Sequence, residues 1–299
     1  MTGPEAGFLL LTSQLGDPAR KVLSVSQMRI LSNRVRAAEK DPAARDLTPE
    51  DLIALGYGRE MAEHVLRLLD EEELLQYYCR RGEKSGCQPL TRVTAGYPQH
   101  LRRKLGEETP GCLWYKGDIS MLSQPMVALV GSRDLLERNR SFAREVGRQA
   151  ARQGYVLVSG NARGADQAAQ NACLQAGGKV ISVIADSLAE KIARENVLYL
   201  SEDGFDCGFT AQRAISRNRV IHALAERTFV AQCSLHTGGT WDGTTKNLCF
   251  GWSPVYCYAD ESPAQRTLVD MGAQTVTLEQ LCDFSALPKP AADLFTMEE

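Results

Sequence analysis

Small residues, hydroxyls and arginines recur together where apolar runs end in this chain. Gly131, Ser132 and Arg133 follow "VALV", and Ser159, Gly160, Asn161, Arg163 and Gly164 close "YVLVSGNARG". Arg217, Asn218 and Arg219 stand in "SRNR", while Thr237, Gly238, Gly239, Thr240 and Lys246 stand in "HTGGTWDGTTKN". Glycines let a backbone approach a ligand closely. Free N–H groups at helix starts attract an anion, and Ser132, Ser159 and Thr240 add hydroxyls. Guanidinium groups fork onto phosphate oxygens. The chemistry expected is therefore phosphate binding, by convergence of several loops. Each piece also has a plainer meaning. Gly-Ser merely terminates a strand, Arg163 has Asp166 nearby as a partner, and Arg217 and Arg219 suit a solvated helix face. Four arginines together at strand ends favour the pocket.

Other chemistry lacks its residues. The chain has four histidines, and no Ser-His-Asp motif can be assembled from them. Asp166, Glu202, Asp203 and Asp242 fall near the expected crevice, but no spacing among them demands a metal or an acid–base pair. The 9 cysteines include no C-x-x-C. Neither a zinc site nor a disulfide framework is expected, and no cofactor is assigned.

The elements that must position these loops are short β-branched runs alternating with helical segments. The runs are 126–131, 155–160, 179–185, 197–202, 228–233, 254–259 and 274–278. Near-continuous apolar strands separated by helices predict an α/β fold, a Rossmann-like open parallel sheet with helices on both faces. In such sheets ligands bind outside the carboxyl ends of the strands, where the loops above lie. The first crossover helix is expected in "ERNRSFAREVGRQAARQG", closed by Gly154. The G-x-G-x-x-G of a dinucleotide site is absent, which argues against a redox cofactor.

Residues 1–85 read as a small helical domain of SAM or helix-hairpin-helix type. Thr48 suits an N-cap, Pro49 the first helical position and Asp51 a capping box. "ALGYGREMAEHVL" resembles a helix-hairpin-helix turn able to hold a phosphate; a tight turn in a small bundle, with only Arg59 as a nearby cation, is the favoured reading. "RRGEKSGCQPL" marks the boundary. Residues 88–285 form the Rossmann-like domain, and 286–299 a short tail. The net charge of -3 excludes a uniformly basic nucleic-acid binder but allows a local patch. Seven arginines between 133 and 163 face only Asp134, Glu137 and Glu145. No signal peptide or membrane span is expected, and a cytoplasmic location follows.

At this point the motifs carry a resemblance. "VALVGSR", "VSGNARGADQAAQNACLQAGGKVISVI", "LSE", "RNRVIHALAE" and "SPAQRTLVDMGAQTVTLEQL" occur in the order seen in the DNA-processing protein A family (DprA, also called Smf). "YPQHLRRKLGEETPGCLWYKGDISML" resembles that family's approach to the first strand. The likeness covers residues 90–283. It implies single-stranded DNA binding, loading of a RecA-type recombinase, no catalysis, and a homodimer. It also implies that Arg133, residues 159–164, and Asn218 with Arg219 line the phosphate pocket. The chain departs from the pattern after the third strand, where Tyr-Pro-x-x-Asn is missing, and in the glycine-rich loop with Trp241. It is expected to be a divergent member without the C-terminal winged helix. The resemblance also implies a place in an anti-phage defence locus as the other setting for the DNA-binding reading; alternatives are a nucleotide sensor or phosphoribohydrolase-like enzyme, and an antitoxin or regulator paired with a toxin encoded nearby. The glutamate that such a hydrolase would need is replaced by Lys246 and Asn247. Phe205, Phe209 and Trp241 are aromatic candidates for base stacking, with packing beneath the loops the favoured reading for Phe209.

Overall fold

The computed structural model describes residues 1–38 and 47–288. It begins with helices α1 (Gly3–Thr12), α2 (Val25–Ala37), α3 (Pro49–Ala54), α4 (Arg59–Asp70) and α5 (Glu72–Lys84). The sheet region follows with β1 (Gln88–Thr91), α6 (Gln99–Leu105), β2 (Cys112–Lys116), β3 (Met126–Val130), α7 (Glu137–Arg152), β4 (Val156–Ser159) and α8 (Ala165–Gln175). It continues with β5 (Lys179–Val183), β6 (Val197–Ser201), α9 (Ala211–Ser216), α10 (Asn218–Leu224) and β7 (Arg227–Val230). The last elements are α11 (Gly239–Phe250), β8 (Val255–Tyr258), α12 (Pro263–Asp270) and β9 (Gln274–Val276). Most of the segment expected as a tail, 289–299, lies outside the described residues.

Local chemistry sets the helix ends. The Thr48 hydroxyl accepts from the Asp51 N–H at 3.2 Å, and Pro49 supplies the first turn. Gly154, at φ +77°, turns the chain out of α7 into β4.

All seven expected strands are present, joined in one 9-stranded sheet of order β1-β2-β6-β5-β4-β3-β7-β8-β9. β3 to β9 pair in parallel. The two strands the periodicity misses, β1 and β2, extend one edge antiparallel onto β6. β1 is four residues long and carries Pro89, which lacks the N–H of a ladder and so suits an edge strand.

Alternation along the strands builds two cores. Val127 and Leu129 face one side with Phe142 and Val146 of α7, Ala169 and Cys173 of α8, and Leu9 and Leu10 of α1. Met126, Ala128 and Val130 face the other, against Leu101 of α6, Val220 and Ile221 of α10, and Leu268 of α12. The sheet is thus α/β and Rossmann-like, covered on both faces. Among the N-terminal helices, α1 and α5 join the first core. Tyr78 packs edge-on to Trp114 at 5.3 Å and against Phe205 at 4.6 Å, and its hydroxyl donates to Asp206 at 2.7 Å. No helix among the described residues is long and apolar enough to cross a membrane.

Candidate functional site

The strand order locates the crevice. Succession runs outward from β3 through β4, β5 and β6 on one side and through β7, β8 and β9 on the other. A ligand site lies outside the carboxyl ends at such a reversal. Here the loops after β3 and β7 are tied together. The Ser132 N–H donates to the Gln232 carbonyl at 2.9 Å, and Ser132 Oγ donates to the same oxygen at 3.2 Å. Gln232 Oε1 accepts the Leu136 N–H at 3.0 Å.

The loop after β4 packs onto the first. The Ala165 N–H donates to the Ser132 carbonyl at 3.2 Å. Gly164 adopts φ +91°, and a Cβ there would strike the Ser132 and Arg133 carbonyls, so glycine is required on both counts. A Cβ on Gly131 would likewise run into Ala165. Asn161 is left-handed at φ +58°. The loop is held from below by Asp166 in the first turn of α8, which accepts the Gly160 and Ala162 N–H groups at 3.1 Å each. Burial raises the Asp166 pKa, against the pull of Arg217 and the two amides. Ser159 is fully buried, and its Oγ accepts from Gln170 Nε2 at 2.5 Å.

Arg217 forms the floor. The residue is only 9% exposed, and its Nη2 donates to the Gly160 carbonyl at 3.1 Å while Nε has no partner among the described residues. Burial lowers its pKa, opposed by Asp166 and Glu202. Next to it, Asn218 Nδ2 donates to the Gly239 carbonyl at 2.9 Å and draws the glycine-rich loop onto the same crevice. Gly238, at φ +86°, leads into α11, whose first-turn N–H groups lack intrahelical partners. Thr237 is exposed and Thr240 half-buried beside it. Arg133 is exposed and makes no hydrogen bond or ion pair among the described residues, yet its charge acts on both Asp166 and Arg217.

Three expected cations arrive already partnered. Arg163 pairs with Asp134 at 3.0 Å, not with Asp166, and both groups are exposed. Arg219 grips the buried Glu202 at 2.7 Å and also donates to the Ser216 and Glu108 carbonyls, which places it in the frame of the site. Burial raises the Glu202 pKa while Arg219 pulls it down. Lys246 meets Asp242 at 3.1 Å, one turn away on α11. The convergence read from four arginines is therefore carried by Arg133 and Arg217.

The aromatic residues also sort differently. Phe205 is 2% exposed and wedged between Tyr78 and Trp114, so it has no face for a base. Phe209 is 58% exposed, the reverse of its favoured reading. Trp241 is half-buried and meets the exposed His236 edge-on at 5.0 Å.

Two organising residues escape sequence reasoning. Arg213 donates to Asp203 at 2.5 Å, to the Ala185, Cys207 and Gly208 carbonyls at 2.6–2.8 Å, and to Ser201 Oγ at 3.0 Å, fixing the loop after β6. Its only signal is an arginine four residues before Arg217. Gln232 is visible as the polar residue that closes "TFVA", but its contacts with the β3 loop are not.

Residues 88–284 match the family model for DNA recombination-mediator protein A. DNA processing protein DprA of Streptococcus pneumoniae is 35% identical over 141 residues, 44% of this chain and 50% of that protein. The Bacillus subtilis DprA is 29% identical over 136 residues, 42% of this chain and 46% of that one. The chain spans about half the length of these curated relatives. The X-ray structure of the S. pneumoniae protein superimposes with a TM-score of 0.70 at 24% identity, over 94% of this chain and 96% of that one. The Helicobacter pylori protein, whose structure concerns its single-stranded DNA binding mode, gives 0.55 at 22% identity over 66% and 94%. At these identities the structures establish a shared fold.

Proposed function

The chain belongs to the DNA recombination-mediator protein A family, and we propose that its crevice binds the phosphate backbone of single-stranded DNA for recombination, without catalysis. The observation that carries this reading is Arg217, a buried guanidinium over Gly160 whose Nε has no acceptor among the described residues. A buried charged donor left unpaired is costly, and an anion in front of it would remove that cost. Arg133 stands free at the lip, and α8 and α11 both begin at the crevice, a disposition that favours an anion.

Contacts of this kind go to the backbone and carry no base information, so the site is sequence-tolerant. Phe209 and the Trp241–His236 pair offer rings on which bases stack. The non-catalytic reading is supported by the nearby carboxylates. Asp166 is occupied by amides, Glu202 by Arg219, Asp203 by Arg213 and Asp242 by Lys246. The family's designation as a recombination mediator supports delivery of the bound strand to a recombinase of the RecA type. Fluorescence anisotropy with labelled oligo-dT at two salt concentrations tests the reading: binding must be present and must weaken steeply with salt.

A further inference from the structure

We propose that the arginine ridge of α7 is a second contact track for single-stranded DNA, carrying the strand away from the crevice; this rests on the DNA-binding reading of the crevice. Arg140, Arg144, Arg148 and Arg152 recur at intervals of four, so they form one row on the outside of the helix, about 18 Å from first to last. The opposite face is consumed by the core, where Phe142, Ala143 and Val146 are buried. The row opens just beyond the loop that holds Arg133, so it continues the basic lip of the crevice.

Its charge is not balanced. Only Glu137 and Glu145 stand on the same helix. Glu137 is shared by Arg140 at 3.4 Å and Arg144 at 3.0 Å, and Glu145 takes Arg148 at 2.6 Å. Arg152 has no hydrogen bond or ion pair among the described residues. Four guanidinium groups against two carboxylates give a positive strip on a chain whose net charge is -3. Exposed pairs of this kind are weak, so a phosphate can displace the glutamates at little cost. Arginine rather than lysine gives each position a planar fork for phosphate oxygens. A polyanionic strand longer than the crevice is the partner that matches this charge and spacing.

The test uses the full chain and two labelled oligo-dT probes, of about six and about twenty nucleotides, one short enough for the crevice alone and one able to reach the ridge. The triple variant Arg144→Gln, Arg148→Gln, Arg152→Gln should bind the short probe as the parent does. It should bind the long probe roughly tenfold more weakly, with the slope of log affinity against log salt reduced by about 2. Glu145→Gln, which removes a competing carboxylate, should tighten the long probe only. If neither change alters long-probe binding in protein that melts cooperatively, the ridge is not a track. If the long probe binds and is lost in the triple variant while the short probe never binds, the crevice reading fails and the ridge stands. If neither probe binds the parent, both fail.

Discussion

The Arg217 guanidinium lies directly over Gly160, donating to its carbonyl at 3.1 Å through Nη2 and leaving Nε without an acceptor. A Cβ at Gly160 would occupy the space of the guanidinium itself. The glycine and the arginine are therefore one unit: the first supplies the room, the second supplies the charge.

Gly160→Ala should displace Arg217 while leaving Arg133 and the strands in place. Loss of one charge-assisted contact of this kind is worth about 1.5–3 kcal/mol. We expect single-stranded DNA affinity to fall by roughly tenfold or more. Unchanged affinity in anisotropy titrations would show that Arg217 does not meet the ligand.

Arg219→Ala should behave in the opposite way. Arg219 neutralises the largely buried Glu202, and removing one partner of such a pair costs up to about 3–5 kcal/mol where burial is complete. The melting temperature should fall substantially, while affinity per folded molecule changes little. A variant with normal melting and weakened binding would instead place Arg219 in the ligand site.

Acid should destabilise the protein through His222. It is fully buried, its Nδ1 lies 3.1 Å from Asn247 Nδ2, and burial together with the Arg217 charge pushes its pKa down to about 3. The unfolded imidazole titrates at about 6.5, so on acidification the unfolded chain takes up the proton first. Stability is full above that value and is lost as pH falls towards the folded pKa. About 2 kcal/mol should disappear between about pH 7 and pH 5. Denaturant titrations should record this loss in the parent and a smaller one in His222→Gln; equal slopes would assign the acid sensitivity elsewhere.

The bond between Tyr78 and Asp206 ties α5 to the loop after β6. Tyr78→Phe keeps the ring contacts with Trp114 and Phe205 but leaves a half-buried carboxylate oxygen short of a donor. A stability loss of about 1–2 kcal/mol is expected from denaturant titration. A loss below the error of that measurement would mean that Arg81, 3.1 Å from the other oxygen of Asp206, suffices alone.

The sequence made the parallel sheet legible because each of its strands is an apolar, β-branched run closed by a small or polar residue. It hid β1 and β2, because short edge strands need little apolar content and β1 even tolerates Pro89. The glycine-bearing loops of the candidate site were readable for a similar reason: Gly164 is dictated by close backbone approach, Gly131 by the Ala165 side chain and Gly160 by the Arg217 guanidinium. Which cations would be free was not readable. Arg163, Arg217 and Arg219 look alike along the chain, and only three-dimensional pairing separates them. Asp134 takes the first, Glu202 takes the last, and Arg217 is left facing a carbonyl. Phe205 and Phe209 pose the same problem, since four residues of loop decide which ring is buried.

In the proposed mode of binding, the crevice holds a DNA phosphate between Arg133 and Arg217. Arg133 is exposed and unpaired, so Arg133→Ala should leave folding intact, and its effect on binding can be read without correction. Anisotropy of labelled oligo-dT, titrated against parent and Arg133→Ala at about 50 mM and about 200 mM salt, is the most direct measurement. Parent binding should weaken steeply with salt, and the variant should show roughly tenfold lower affinity and a salt slope reduced by about 0.7. Equal affinity and equal slope for the two proteins would contradict that mode of binding.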